Sequence, residues 1–171
     1  SLIRLCNIPT IEKKIIERSI GPKILFYHGV EIDIIDKHIQ SLHIPIKSFE
    51  KQIDFIQNYY EIISIEELSN YFRYGGLNSG RFVVLTFDDG YKNNLEVVLP
   101  YLDSRGIPFS VFVSTNNIDT GERFPTYILR VGIFKNINTK ITIPSLNKVF
   151  NIFTKSEQNK TYSYLQKIIK S

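Results

Sequence analysis

The clearest strand pattern of the chain is Arg81-Phe82-Val83-Val84-Leu85-Thr86-Phe87. It is β-branched and aromatic and lacks the three-to-four spacing of a helix. That predicts a strand buried on both faces. Lys23-Ile24-Leu25-Phe26-Tyr27 has the same character, Phe109 to Val113 predicts a second buried strand, and Ile62-Ile63 reads as a short one. Between these runs the apolar residues fall into helical stripes. Phe49, Ile53, Ile56 and Tyr60 follow at intervals of four, three and four, predicting a helix opened by Ser48 with Glu50 in its first turn. Ser64-Ile65-Glu66-Glu67 is a capping box, and its helix should run to about Tyr74 and stop at Gly75-Gly76. Leu95, Val98, Leu99 and Leu102 share one face of a further helix, which Pro100 kinks or restarts. Ile11, Ile15 and Ile16 predict a short helix within a lead-in of residues 1–22, ended by Gly21-Pro22. Tyr162, Leu165, Ile168 and Ile169 predict a helix over 156–170. Residues 31–47 lack a period and read as a loop. Residues 119–147 show turn chemistry with short β-like runs such as Ile141-Thr142-Ile143.

Strand, helix, strand with buried strands is the pattern of a parallel sheet flanked by helices, so the fold class is α/β. A length of 171 residues suits about one domain. With 43% hydrophobic and 22% charged residues, global disorder is excluded. The single cysteine, Cys6, excludes an internal disulfide framework and a multi-cysteine zinc site. No apolar run approaches the ~18 residues that a spanning helix needs. There is no signal-peptide pattern, and, the first residue being Ser, the natural start is expected upstream. Charge is uneven. Residues 1–129 carry 13 basic and 16 acidic side chains, giving −3, while residues 130–171 carry eight basic and one acidic, giving +7. The basic residues are spaced out, which reads as a solvated face, and no nucleic-acid partner is expected.

Asp88 and Asp89 are the informative pair. In parallel α/β architectures the carboxyl end of a buried strand faces the ligand crevice. Adjacent carboxylates remain ionised when a cation or strong donors lie nearby. One could hold a metal while the other takes a proton, and Gly90 allows a sharp turn behind them. An Asp-Gly turn that merely closes a strand is the plainer alternative. A magnesium-dependent phosphoryl-transfer or receiver-like domain also uses acidic pairs at strand ends. It would want a further Asp after the third strand and a later Lys, and Asn116, Asn117 and Asp119 fit that poorly. His28 ends the first strand and could share the rim with the pair or be satisfied by backbone. His38 and His43 read as surface or loop histidines. Tyr27 and Tyr91 could stack on a sugar ring or serve packing.

Leu85-Thr86-Phe87-Asp88-Asp89-Gly90-Tyr91 resembles the first motif of the polysaccharide deacetylase family, the NodB-homology or carbohydrate esterase family 4 domain. Other segments agree in order. They are Ile24 to Val30 with its Tyr27-His28 pair, Phe49-Glu50-Lys51-Gln52-Ile53, and Ile63 to Leu68. Leu99-Pro100-Tyr101-Leu102 and Gly106 to Val113 complete the set. The resemblance covers about residues 23–125.

It implies an incomplete irregular (β/α) barrel of the polysaccharide deacetylase type, with residues 23–171 as the N-terminal part of the domain. It implies a metal-dependent hydrolase that removes acetyl groups from N-acetylated sugars of a polysaccharide or envelope glycan. Asp88 would be the general base, Asp89 a ligand to a divalent metal (zinc by the family's habit), and His28 a supporting or substrate-contacting residue. The same resemblance implies bacterial origin and leaves the compartment, cytoplasm or cell envelope, open. The family completes its metal site with a paired-His motif, and after Asp89 this sequence has no histidine. Residues 122–171 resemble the insertion some members carry between the first and second motifs. The expectation is therefore the front portion of a longer deacetylase, marginally stable alone, or else a catalytically silent glycan-binding remnant.

Overall fold

The computed structural model describes residues 21–75 and 81–170. The lead-in helix expected within 1–22 lies almost wholly outside the described residues. Two compact units are present. The first comprises the described residues of 1–34 and 42–114, and the second those of 35–41 and 115–171.

The first unit is built on β5, Phe82–Asp89. Along one edge it pairs in parallel with β1, Lys23–Tyr27, in a register that sets Tyr27 beside Phe87. Its other edge is shared end to end by two parallel partners. β4, Glu61–Ile62, meets its beginning, and β6, Ser110–Val113, meets its last four residues. The sheet is open. The α/β class therefore holds, with sheet closure not seen among the described residues.

The run 82–87 is buried on both faces, as its composition predicts, because side chains alternate across a strand. Val83, Leu85 and Phe87 pack with Phe49, Ile53 and Ile56 of α1, Ile46–Tyr59, and with Val98 and Leu102. Phe82 and Val84 pack with Ile63 and with Leu68 of α2, Ile65–Tyr74. Phe49 meets Tyr27, Phe87 and Tyr101 edge-on. α2 opens on the expected capping box. Ser64 Oγ accepts from Glu67 N–H, and Glu67 returns the bond to Ser64 N–H, which holds the Glu67 carboxyl below its usual range. Gly75, with φ of 72°, closes the helix.

Four expectations need correction in this unit. Residues 31–47 are not simply loop. β2, Gly29–Glu31, and β3, His43–Pro45, form a short parallel pair that a three-residue run cannot announce. α1 starts at Ile46, before Ser48, because Pro45 is extended and supplies the N-cap position. The helix after Gly90 starts as a π turn, Asn94–Val98, before α3, Leu99–Asp103. Pro100 has no N–H for the Glu96 carbonyl, and Leu99 N–H reaches back five residues to Asn94 O. The wider turn shifts the stripe. Asn94, Val98 and Leu102 are buried, while Leu95 is 65% exposed. Finally, β6 is paired but not buried, with Phe112 and Val113 about half exposed. Its ladder with β5 satisfies backbone groups, and burial of its side chains needs a covering layer that the described residues do not provide at 111–113.

In the second unit α4, Thr115–Thr120, precedes α5, Pro125–Phe134, and the hairpin β7, Lys140–Ile143, and β8, Lys148–Asn151, precedes α6, Lys155–Lys170. Ile133, Ile152 and Leu165 form its core. α5 falls where the sequence reads as turns. Its apolar residues surround the helix, giving no stripe, but Pro125 at its first position is a start signal. α6 is capped by Thr154 and Glu157, which exchange hydrogen bonds in the same reciprocal pattern as Ser64 and Glu67. Ile168 and Ile169 stay partly exposed. Lys135 pairs with Asp36 at 2.8 Å, and the exposed ring of His38 stacks on Phe134. No helix among the described residues is long and apolar enough to cross a membrane.

Candidate active site

The site is built where β1 and β5 end side by side. The parallel register that places Tyr27 beside Phe87 carries the next residues, His28 and Asp88, to the same rim. Asp88 and Asp89 are the last residues of β5 and both are half-buried. Asp89 adopts φ of 73°, left-handed backbone that non-glycine residues rarely enter. Its carboxylate lies 4.0 Å from His28 Nε2, with the two side chains 29% and 24% exposed. Thus His28 and Asp89 are brought together at a solvent-reachable rim.

Gly90 has two reasons to be glycine. Its φ is 67°, and a Cβ there would lie 2.9 Å from Val113 Cγ1 of β6. The turn after the carboxylates is therefore seated directly against the neighbouring strand.

Tyr27 is a packing residue. Its ring stacks on Phe87 and meets Phe49 edge-on, and its hydroxyl donates to Gln52 Oε1 at 3.1 Å. Burial pushes its phenol well above the ordinary range. Tyr91 meets the His43 ring edge-on at 4.6 Å.

His43 corrects the surface-or-loop reading. Its side chain is only 11% exposed, and its Nδ1 lies 2.9 Å from Glu31 Oε1. The same oxygen accepts from Asn93 Nδ2 at 2.8 Å. Glu31 and Asn93 went unnoticed in the sequence. Residues 31, 43 and 93 meet only through the β2–β3 pairing and the turn after β5. The apolar stripe drew attention to Leu95 instead.

The fit of a metal can be judged from these donors. Asp89 and His28 offer one carboxylate and one imidazole, and among the described residues no group of three or more His, Cys, Asp or Glu gathers. Catalytic zinc takes three protein ligands. The residues present do not make a complete site for the divalent ion that the sequence resemblance implies.

A carboxylate and an imidazole 4.0 Å apart on the carboxyl rim of a parallel sheet can move protons around a bound water and a carbonyl substrate. This is the setting in which the relatives fall. The sequence model of the polysaccharide deacetylase family matches residues 75–170, and the chain belongs to that family. YxkH of Bacillus subtilis (strain 168), which carries a polysaccharide deacetylase name, is 29% identical over 96 residues, or 56% of this chain and 32% of the relative. The chain thus spans about a third of that curated relative's length. The fold is similar to that of a de-N-acetylase from Aggregatibacter actinomycetemcomitans, with a TM-score of 0.53 at 19% identity. That likeness covers 85% of this chain and 51% of the other.

Proposed function

We propose that this chain carries part of the active site of a de-N-acetylase acting on N-acetylated sugars of a bacterial polysaccharide or envelope glycan. The observation that carries the reading is the Asp88–Asp89 pair with His28 4.0 Å from Asp89, on the carboxyl rim of a parallel sheet in a polysaccharide deacetylase chain. The bacterial setting is supported by the sources of both relatives.

Amide hydrolysis needs a base for the attacking water and a proton for the departing nitrogen. Asp88 is assigned the first role. The water loses its proton to the carboxylate as its oxygen bonds to the acetyl carbon. The carbon–nitrogen bond then breaks, acetate leaves, and the sugar keeps an amine that must gain a proton. His28, 4.0 Å from the Asp89 carboxylate, is assigned the second role, and Asp89 would offer a ligand to a divalent ion. In this reading a divalent metal at Asp89 would need its remaining ligands from parts of a longer protein outside these 171 residues. The irregular barrel draws its closing strands from there as well. The partial spans of both relatives support this.

A second reading, a silent glycan-binding remnant, is favoured by the incomplete ligand set. Acetate release from N-acetylglucosamine oligomers by the full-length protein, with and without added zinc, separates the two. Release that Asp88→Asn abolishes supports the enzyme. Oligomer binding with no release at any metal concentration supports the remnant.

A further inference from the structure

Glu31, His43 and Asn93 converge on one oxygen. Glu31 Oε1 takes the His43 Nδ1–H at 2.9 Å and the Asn93 Nδ2–H at 2.8 Å. A carboxylate only accepts, so Nδ1 carries the proton, and the 3.5 Å between Asn93 Nδ2 and His43 Nδ1 separates two donors sharing one acceptor. The ring is wedged in place. A Cβ on Gly29 would lie 2.5 Å from its Cδ2 and 2.7 Å from its Nε2, while Tyr91 meets it edge-on.

What this junction joins gives it meaning. Gly29 follows His28 directly, and Glu31 lies two residues further on. Tyr91 lies two residues past Asp89, and Asn93 two past Tyr91. The contacts therefore run between the backbone that carries the imidazole and the backbone that carries the carboxylates. The π turn starts at Asn94, immediately after Asn93. Such widened turns are frequent at functional sites.

We propose that Glu31, His43 and Asn93 form a clamp that fixes the separation of His28 and Asp89, making all three positioning residues of the deacetylase centre. This rests on the proposed function for its chemical meaning, and on the coordinates alone for its geometry. A joint needed only for stability has a cheaper solution. Asn93 is 9% exposed, its Oδ1 is buried without a hydrogen-bond partner among the described residues, and most of the buried side chains of this unit are aliphatic or aromatic. Burying polar groups in such a place costs desolvation that an apolar joint avoids. What the polar joint adds is a fixed direction for each bond.

The test uses the full-length protein with three variants. Glu31→Gln keeps an oxygen with two lone pairs and should hold both donors. Glu31→Ala removes the acceptor. His43→Phe keeps the ring bulk and deletes the N–H. With N-acetylglucosamine oligomers, the Ala and Phe variants should lose about 10- to 100-fold in kcat with KM changed less than about twofold, the scale of a misplaced catalytic group. Glu31→Gln should stay within about threefold of wild type in kcat. Crystal structures should show the His28–Asp89 separation widened in the first two and kept in Glu31→Gln. An unchanged separation in the Ala and Phe variants overturns the clamp. So does an equal loss in Glu31→Gln, or a lowered melting temperature with kcat intact. If Glu31→Ala and His43→Phe do not fold, Asn93→Ser, which withdraws one donor, carries the same readouts and the same expectations. Should wild type release no acetate, the deacetylase reading fails, and the crystallographic separation alone decides the clamp.

Discussion

His28 Nε2 and Asp89 Oδ2 face each other across 4.0 Å at the rim where β1 and β5 end. That distance is too long for a hydrogen bond and short enough for each group to feel the other's charge. A pair held at that spacing can share a proton-bearing molecule placed between them. Asp89→Asn removes the charge and keeps the shape. Acetate release by the full-length protein should fall at least about 100-fold in both Asp88→Asn and Asp89→Asn, the usual scale for losing a group that moves protons in the transition state. Wild-type rates in either variant overturn the assigned roles.

Gly29 is required by its neighbour. A methyl group there would lie 2.5 Å from the His43 ring, which Glu31 and Tyr91 hold in place. Gly29→Ala should lower unfolding free energy by about 1–3 kcal/mol, as overpacking does. Adding His43→Ala should recover part of that loss. Urea unfolding of the single and double variants reads both effects, and full additivity would show that the two residues do not collide.

The centre of the first unit is aromatic. Phe49 is fully buried against Tyr27, Phe87 and Tyr101. Phe49→Ala should cost about 3–5 kcal/mol, since the cavity cannot collapse between packed rings. A loss under 1 kcal/mol in chemical unfolding would contradict this packing.

Asp36 gives the second unit a dependence on acid. Its carboxyl is lowered to about 2, first by the hydrogen bond from Lys135 and then by the backbone N–H of Ile39. A folded value below the unfolded one contributes stability above the unfolded pKa of 3.8, and that stability fades as pH falls toward 2. Lys135→Ala should raise the Asp36 pKa, read by carboxyl carbon NMR, and flatten the loss of melting temperature between neutral pH and pH about 3. An unmoved Asp36 titration would mean that Lys135 does not hold it.

What the sequence revealed and concealed follows from where each signal resides. The strand 82–87, the Ser64 capping box and the parallel pairing of strands 82–89 and 110–113 were legible, because each is written in adjacent residues or a short period. The π turn was half legible. Pro100 announced a disturbance, but a shift of one residue swaps Leu95 for Asn94 in the core, and a stripe drawn at α spacing cannot show that. Residues 125–134 hid as a helix because an apolar surface all round leaves no stripe. At the rim, Asp88, Asp89 and His28 were singled out because strand ends mark rims, and the β1–β5 register sets His28 near Asp89. The meeting of Glu31, His43 and Asn93 was hidden because nothing local unites them, and only the pairing of two three-residue strands and the turn after β5 bring them to one oxygen.

The left-handed backbone at Asp89 selects among acids. Glycine, asparagine and aspartate enter that region at modest cost, while longer side chains gain no local hydrogen bond there in compensation. Glutamate at 89 would meet the main chain's objection before reach or charge mattered. The inventory of replacements open to this position is therefore set by a torsion angle, and the shorter carboxylate is the acid that the rim of β5 accepts at the lower cost.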